Sequence, residues 1–172
     1  MKLHPHWKRI AVTLMLGLVA SASQAHTGHG TSSLLDGLAH PFGPDHLLAM
    51  LAVGLWSVLV LPNDKVWWGP ATFMTSLGTS AVLAATGVMI PLLEHLIALS
   101  VVLFGALLVL ASLKLPAPTG FFLLAVVGAV HGLAHGAESP ATGFATYVMG
   151  FLATTAMFHF GGVFAALGIQ RY

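Results

Sequence analysis

Apolar residues run through this chain in long blocks, without the strict alternation of strands or the narrow stripe of a surface helix. Five blocks stand out: about Leu34 to Leu61, Val66 to Ile90, Leu92 to Leu113, Thr119 to Gly136 and Thr142 to Ile169. Each is expected to be long enough to cross a bilayer as a helix, which takes about 20 apolar residues. The breaks carry turn-forming residues: Pro62-Asn63-Asp64-Lys65, Pro91, Lys114-Leu115-Pro116-Ala117-Pro118 and Glu138-Ser139-Pro140. The pattern predicts an all-α integral membrane protein, a compact bundle of about five transmembrane helices. No repeat or low-complexity tract divides it, so residues 26–172 read as one domain.

A shorter block precedes these. Lys2, Lys8 and Arg9 lead into an apolar run from Ile10 to Ala20, followed by Ser23-Gln24-Ala25 with small residues at the cleavage-specifying positions. Residues 1–25 therefore read as a signal peptide cleaved after Ala25, with an uncleaved signal anchor as the alternative. Cleavage leaves the mature N-terminus outside and sends the first helix inward. Lys65, Lys114 and Arg171 then all lie on the cytoplasmic side, as positive-inside orientation requires for an odd number of helices. The expected location is a bacterial-type inner (plasma) membrane, with lipid as the surrounding partner and the C-terminus cytoplasmic.

Composition narrows the chemistry. Hydrophobic residues make up 57% and charged residues only 6%, against roughly a quarter charged in soluble domains. A net charge of +1 offers no basic face for nucleic acid. Ten histidines outnumber either charge class, which points to coordination or proton traffic. With no cysteine in the chain, thiolate sites are excluded; imidazole, carboxylate, carbonyl and thioether remain as ligands.

The sharpest feature is His40-Pro41-Phe42-Gly43-Pro44-Asp45-His46, early in the first mature helix. On an unbroken helix His40 and His46 lie about 120° apart and cannot easily share an ion. Pro41 and Pro44 predict a kinked or discontinuous helix. They remove two donors, bias His40 and Gly43 away from helical angles, and free the carbonyls of Gly37 and His40. Broken helices of this kind build ion sites at membrane depth; the alternative is a proline kink with its polar residues at the membrane surface. Asp36, one turn before His40, reads either as a carboxylate orienting that imidazole or as a solvated helix-start residue.

A second group, His131-Gly132-Leu133-Ala134-His135-Gly136-Ala137-Glu138, closes the fourth block. On a regular helix all three polar side chains project from one face, a divalent-metal half-site or a wetted helix end. Gly128, Gly132 and Gly136 form a ridge of small residues that lets a neighbouring backbone approach closely. His159, between Phe158 and Phe160, reads as a ligand or as a hydrogen-bonded packing residue. Glu94 and His95 open the third helix, where solvation is expected, and Met50 reads as a core gap-filler. Cleavage after Ala25 exposes His26 as an amine–imidazole chelator with His29 close behind, or leaves a polar leader. On this topology His40, Asp45, His46, His95, His131, His135 and Glu138 all fall in the outer half, so separate segments deliver ligands to one depth.

At these residues the chain resembles the HupE/UreJ family of nickel and cobalt permeases, over essentially the whole mature sequence. His40-Pro-Phe-Gly-Pro-Asp45-His46 fits the H-x4-D-H signature of the wider nickel/cobalt transporter group, and the His131 to Glu138 group fits the later histidine-glycine-glutamate motif. The resemblance implies uptake of Ni2+ or Co2+ for hydrogenase, urease or cobalamin metallation, with His40, Asp45 and His46 as principal metal residues. Nitrogen and oxygen ligands also suit Zn2+, and spacing alone does not choose among these metals. The chain contains no G-x4-G-K-[ST] loop, so the expectation is a secondary transporter and not an enzyme. A homo-oligomeric copy or a cytoplasmic metallochaperone is the open partner class. The competing functions are an intramembrane zinc hydrolase, with an open metal position for water, and a haem-binding electron carrier.

Overall fold

The computed structural model describes residues 33–110, 116–140 and 142–169, apart from the side chains of Asp45 and Leu110. The expected signal peptide, His26, His29, Lys114 and Arg171 lie outside the described residues. The chain runs through α1 (Ser33–Ala39), a 3₁₀ turn (His40–Phe42), α2 (Pro44–Val60), a second 3₁₀ turn (Asn63–Lys65), α3 (Trp68–Ala85), α4 (Leu93–Leu110), α5 (Ala117–Ala137) and α6 (Phe144–Ile169). No strand occurs among the described residues.

The helix ends follow local chemistry. Gly43, in an extended conformation at φ −54° and ψ 135°, caps α2, and Pro44 supplies its first residue, where a missing N–H is harmless. Leu61 turns extended before Pro62 and stops α2. Gly87, at φ +96°, ends the stretch after α3 in the left-handed conformation that costs glycine little.

Among the described residues two helices, α5 at 21 residues and α6 at 26, are long and apolar enough to cross a membrane, and α1 with α2 qualifies as one broken span bent by 67°. The helix rise makes α6 about 39 Å long, more than the roughly 30 Å hydrocarbon core. The two remaining blocks, each expected to suffice alone, form shorter or more polar helices. Thr72, Thr75, Thr79 and Ser80 dilute α3, each donating its hydroxyl to the carbonyl one turn back. The described part of α4 is apolar from Leu93 to Val109.

Small residues set how the helices approach. A Cβ at Gly132 would run into the Leu77 carbonyl, one at Gly136 into the Ala81 carbonyl, and one at Gly128 would lie 2.7 Å from the Phe73 carbonyl. The glycine ridge of α5 thus seats directly on α3, the most extensive helix pair in the molecule. Partners advance together along both chains, 73 with 128, 77 with 132 and 81 with 136, so α3 and α5 run parallel. The broken first span lies parallel to α6 by the same test. Ser33 bonds Thr146, Leu38 bonds Thr154, and Gly54 meets the backbone at Gly162. Trp56, Phe73, Phe104 and Phe151 fill the space between these two parallel pairs.

Candidate metal centre

The centre begins at the break. Pro41 and Pro44 prevent α1 from continuing into α2, and the intervening residues make one 3₁₀ turn. The His40 carbonyl, expected to be freed, accepts from the Gly43 N–H at 3.3 Å, while the Gly43 carbonyl accepts from Leu47 at 2.9 Å. Nearby, Thr154 of α6 donates its hydroxyl to the Leu38 carbonyl at 3.0 Å. Irregular backbone is therefore satisfied from inside the protein, as membrane depth demands.

This bend brings His40 and His46 onto one side. Their ring centroids lie 5.5 Å apart, edge to face. From α5, His135 approaches both, at 4.5 Å from His40 and 5.0 Å from His46, and His131 lies 5.0 Å from His46. Three of the four are almost completely enclosed, with His46 at 2% exposure and His131 and His135 at 1%. One ring nitrogen from each of His40, His46 and His135 falls within 4.8 Å of the other two. Imidazole nitrogens sit about 2.0–2.1 Å from a bound first-row metal, so small side-chain rotations close these three onto one ion.

Neighbours orient each ring. His131 Nδ1 lies 3.0 Å from the Val127 carbonyl one turn back; a carbonyl only accepts, so this nitrogen carries the proton and Nε2 keeps its lone pair. His135 stacks on Phe151 at 4.3 Å and 11°, and its buried Nδ1 has no hydrogen-bond partner. A buried nitrogen without a partner is expensive, and coordination is one way to relieve it. His40 Nε2 lies 3.1 Å from Glu138 Oε2, at the C-terminal end of α5. The carboxylate thus meets the cluster through His40, an arrangement that orients an imidazole and makes it a better donor.

The sequence candidates separate on this geometry. His40, His46, His131 and His135 converge, with Glu138 at their rim. Asp36 is half-buried on α1, one turn before His40. His95 and Glu94 are exposed at the start of α4, outside the histidine group, so the expected convergence omits His95. His159 lies buried on α6, linked to the group by Phe73, whose ring centroid is 5.7 Å from that of His131 and 5.1 Å from that of His159. Sequence reasoning missed the aromatic lining. Tyr147 reaches within 6.0 Å of His40, its hydroxyl buried without a partner. It is one of only two tyrosines in the chain, and that scarcity in a span was the available signal.

A helical membrane protein with a buried multi-imidazole centre, assembled at a broken span, is the class that fold and site define. The chain belongs to the HupE / UreJ protein family, which it matches over residues 13–172. It is similar to Protein HupE of Rhizobium leguminosarum bv. viciae, 38% identical over 159 residues that cover 91% of this chain and 82% of that protein. No solved structure matches it.

Proposed function

We propose that the protein is a secondary transporter that carries a divalent transition metal, nickel or cobalt, from outside to the cytoplasm. The observation that carries this reading is the cluster of His40, His46, His131 and His135, four imidazoles gathered among apolar helices, three of them buried. Membrane-embedded ionisable residues are costly and ordinarily functional, and nitrogen donors suit Ni2+ and Co2+, with Zn2+ also accommodated. Membership of the HupE / UreJ family supports the same reading. His40, His46 and His135 take the metal, His131 receives it next, and Glu138 holds His40. Asp45 joins them from the shared motif.

The parallel pairs support a five-span topology. A first span parallel to α6, and α3 parallel to α5, are what five successive crossings produce, with α4 returning between them. On this reading a leader is cleaved after Ala25, the Glu138 end faces outside, and the Lys65 turn faces the cytoplasm. His26 and His29 then gather metal at the outer surface. A +2 ion moving down 100 mV, inside negative, gains about 4.6 kcal/mol, enough to drive uptake without ATP.

The test is purified protein in liposomes under an imposed inside-negative potential. Wild type is expected to accumulate Ni2+ or Co2+, and His46→Ala to reduce the initial rate at least tenfold at equal incorporation. Protein that moves neither metal sinks the proposal, and zinc-dependent turnover of peptide or lipid by the same preparation turns it toward hydrolysis.

A further inference from the structure

Beside the histidine centre stands a buried phenol that the metal site does not yet use. Tyr147 of α6 is 2% exposed, and no protein group bonds its hydroxyl. An unmet hydroxyl in an apolar interior is costly, so its presence calls for a reason. The ring is flanked on two sides: the Phe151 centroid lies 5.5 Å away on α6 and the His40 centroid 6.0 Å away on the 3₁₀ turn, both edge to face. The backbone is held as well. A Cβ at Gly37 would run into the Tyr147 carbonyl, so α1 seats directly on this turn of α6. With ring and backbone both fixed, a partner for the hydroxyl has to come to it.

Two carboxylates are near enough to act on the phenol, Glu138 first and Asp36 second. Asp36 belongs to α1, the helix pinned against α6. Glu138 follows the last residue of α5, and its side chain is 33% exposed, which leaves it room to shift. Its Oε2 already faces His40 Nε2 at 3.1 Å. An ionised carboxylate accepts at about four lone-pair sites, so the His40 contact does not exhaust it. Coordination of a metal by His40 makes the remaining ring N–H a stronger donor and draws the carboxylate inward.

We propose that Tyr147 is a positioning residue for the metal centre: its hydroxyl donates to the Glu138 carboxylate when His40 takes up the ion, completing a chain from phenol to carboxylate to imidazole to metal. The idea rests on the reading of the histidine group as the binding site of the transported ion. Tyr147 acts through Glu138 and does not touch the metal. Its ring keeps the side of His40 dry, and its hydroxyl holds the carboxylate in the one place where it can orient that imidazole.

Tyr147→Phe removes the hydroxyl and keeps both ring contacts. In the purified full-length protein it is expected to lower cobalt affinity about tenfold by isothermal titration calorimetry, the low end for loss of an outer hydrogen-bonding partner. Because no protein group meets the hydroxyl, the melting temperature without metal is expected to stay at or above that of wild type. Tyr147→Phe combined with Glu138→Gln is expected to lose about tenfold in all, where independent contributions would multiply to about a hundredfold. Infrared spectroscopy reads the contact itself. The chain has two tyrosines, so Tyr172→Phe protein grown on isotope-labelled tyrosine reports Tyr147 alone. Its labelled C–O stretch is expected to shift when cobalt is added, and to stay in place when Glu138→Gln is also present. Unchanged affinity of Tyr147→Phe, a lowered melting temperature, multiplied losses in the double variant or an unmoved stretch each overturns the proposal. Wild type that binds no cobalt overturns the metal-binding reading instead, so the two failures are distinct.

Discussion

The histidines of the centre are individually oriented, and each orientation has a separate cause. The Val127 carbonyl sets His131, the Phe151 face sets His135, and the Glu138 carboxylate sets His40. Removing the charge at Glu138 while keeping its shape isolates the last of these. Glu138→Gln is expected to weaken cobalt binding by about tenfold, the low end of the loss seen when an outer carboxylate partner is removed. Isothermal titration calorimetry of the purified variant measures it; unchanged affinity means that the contact is structural only. At this scale the sequence singled out the histidines but not their neighbours. The histidines stand out because imidazole is rare within spans, whereas Phe73, Tyr147 and Phe151 resemble any other aromatic of an apolar helix. Their roles depend on the register between helices, which the linear pattern does not contain. His95, expected to be solvated at the start of its helix, is exposed there.

Two elements convert this pattern into a site, the break and the glycine ridge. The break was legible because two prolines within four residues cannot stay in one helix, although the sequence did not show that Gly43 would take up the His40 carbonyl. Replacing both prolines, Pro41→Ala with Pro44→Ala, is expected to extend the helix through residues 40–43 and carry His40 and His46 apart. Helical circular dichroism should rise slightly, while cobalt affinity falls by more than tenfold; retained affinity means that the bend is imposed by packing and not by proline. The ridge acts on the opposite side, because α5 can deliver His131 and His135 only if it lies close to α3. Gly132→Leu places a side chain against the Leu77 carbonyl and the Ser80 hydroxyl. It is expected to destabilise the protein by about 1–3 kcal/mol, the usual range for overpacking, and to lower its melting temperature in detergent. No change in melting would show that the helices can separate at little cost.

The whole molecule is arranged as two parallel helix pairs with the donors gathered near one end. Block lengths made a helical membrane bundle readable from the sequence, but not the hydroxyl residues' place on α3, each bonded to a carbonyl one turn back. The proposed topology puts the two ends of α3 on opposite sides of the membrane. Single cysteines in this cysteine-free chain test that arrangement directly. Met89→Cys, at an exposed position after α3, is expected to react with an impermeant maleimide from outside intact inner-membrane vesicles of native orientation, and Asn63→Cys only after the bilayer is permeabilised. Equal labelling of both would exclude the orientation. The bond from Thr154 to Leu38 adds a consequence for biosynthesis. Its partners are 116 residues apart, so at about 5–20 residues per second the ribosome makes Leu38 roughly 6–23 s before Thr154. Throughout that interval the nascent broken helix lacks the hydroxyl that later bonds its backbone, and a segment translated well afterwards completes it.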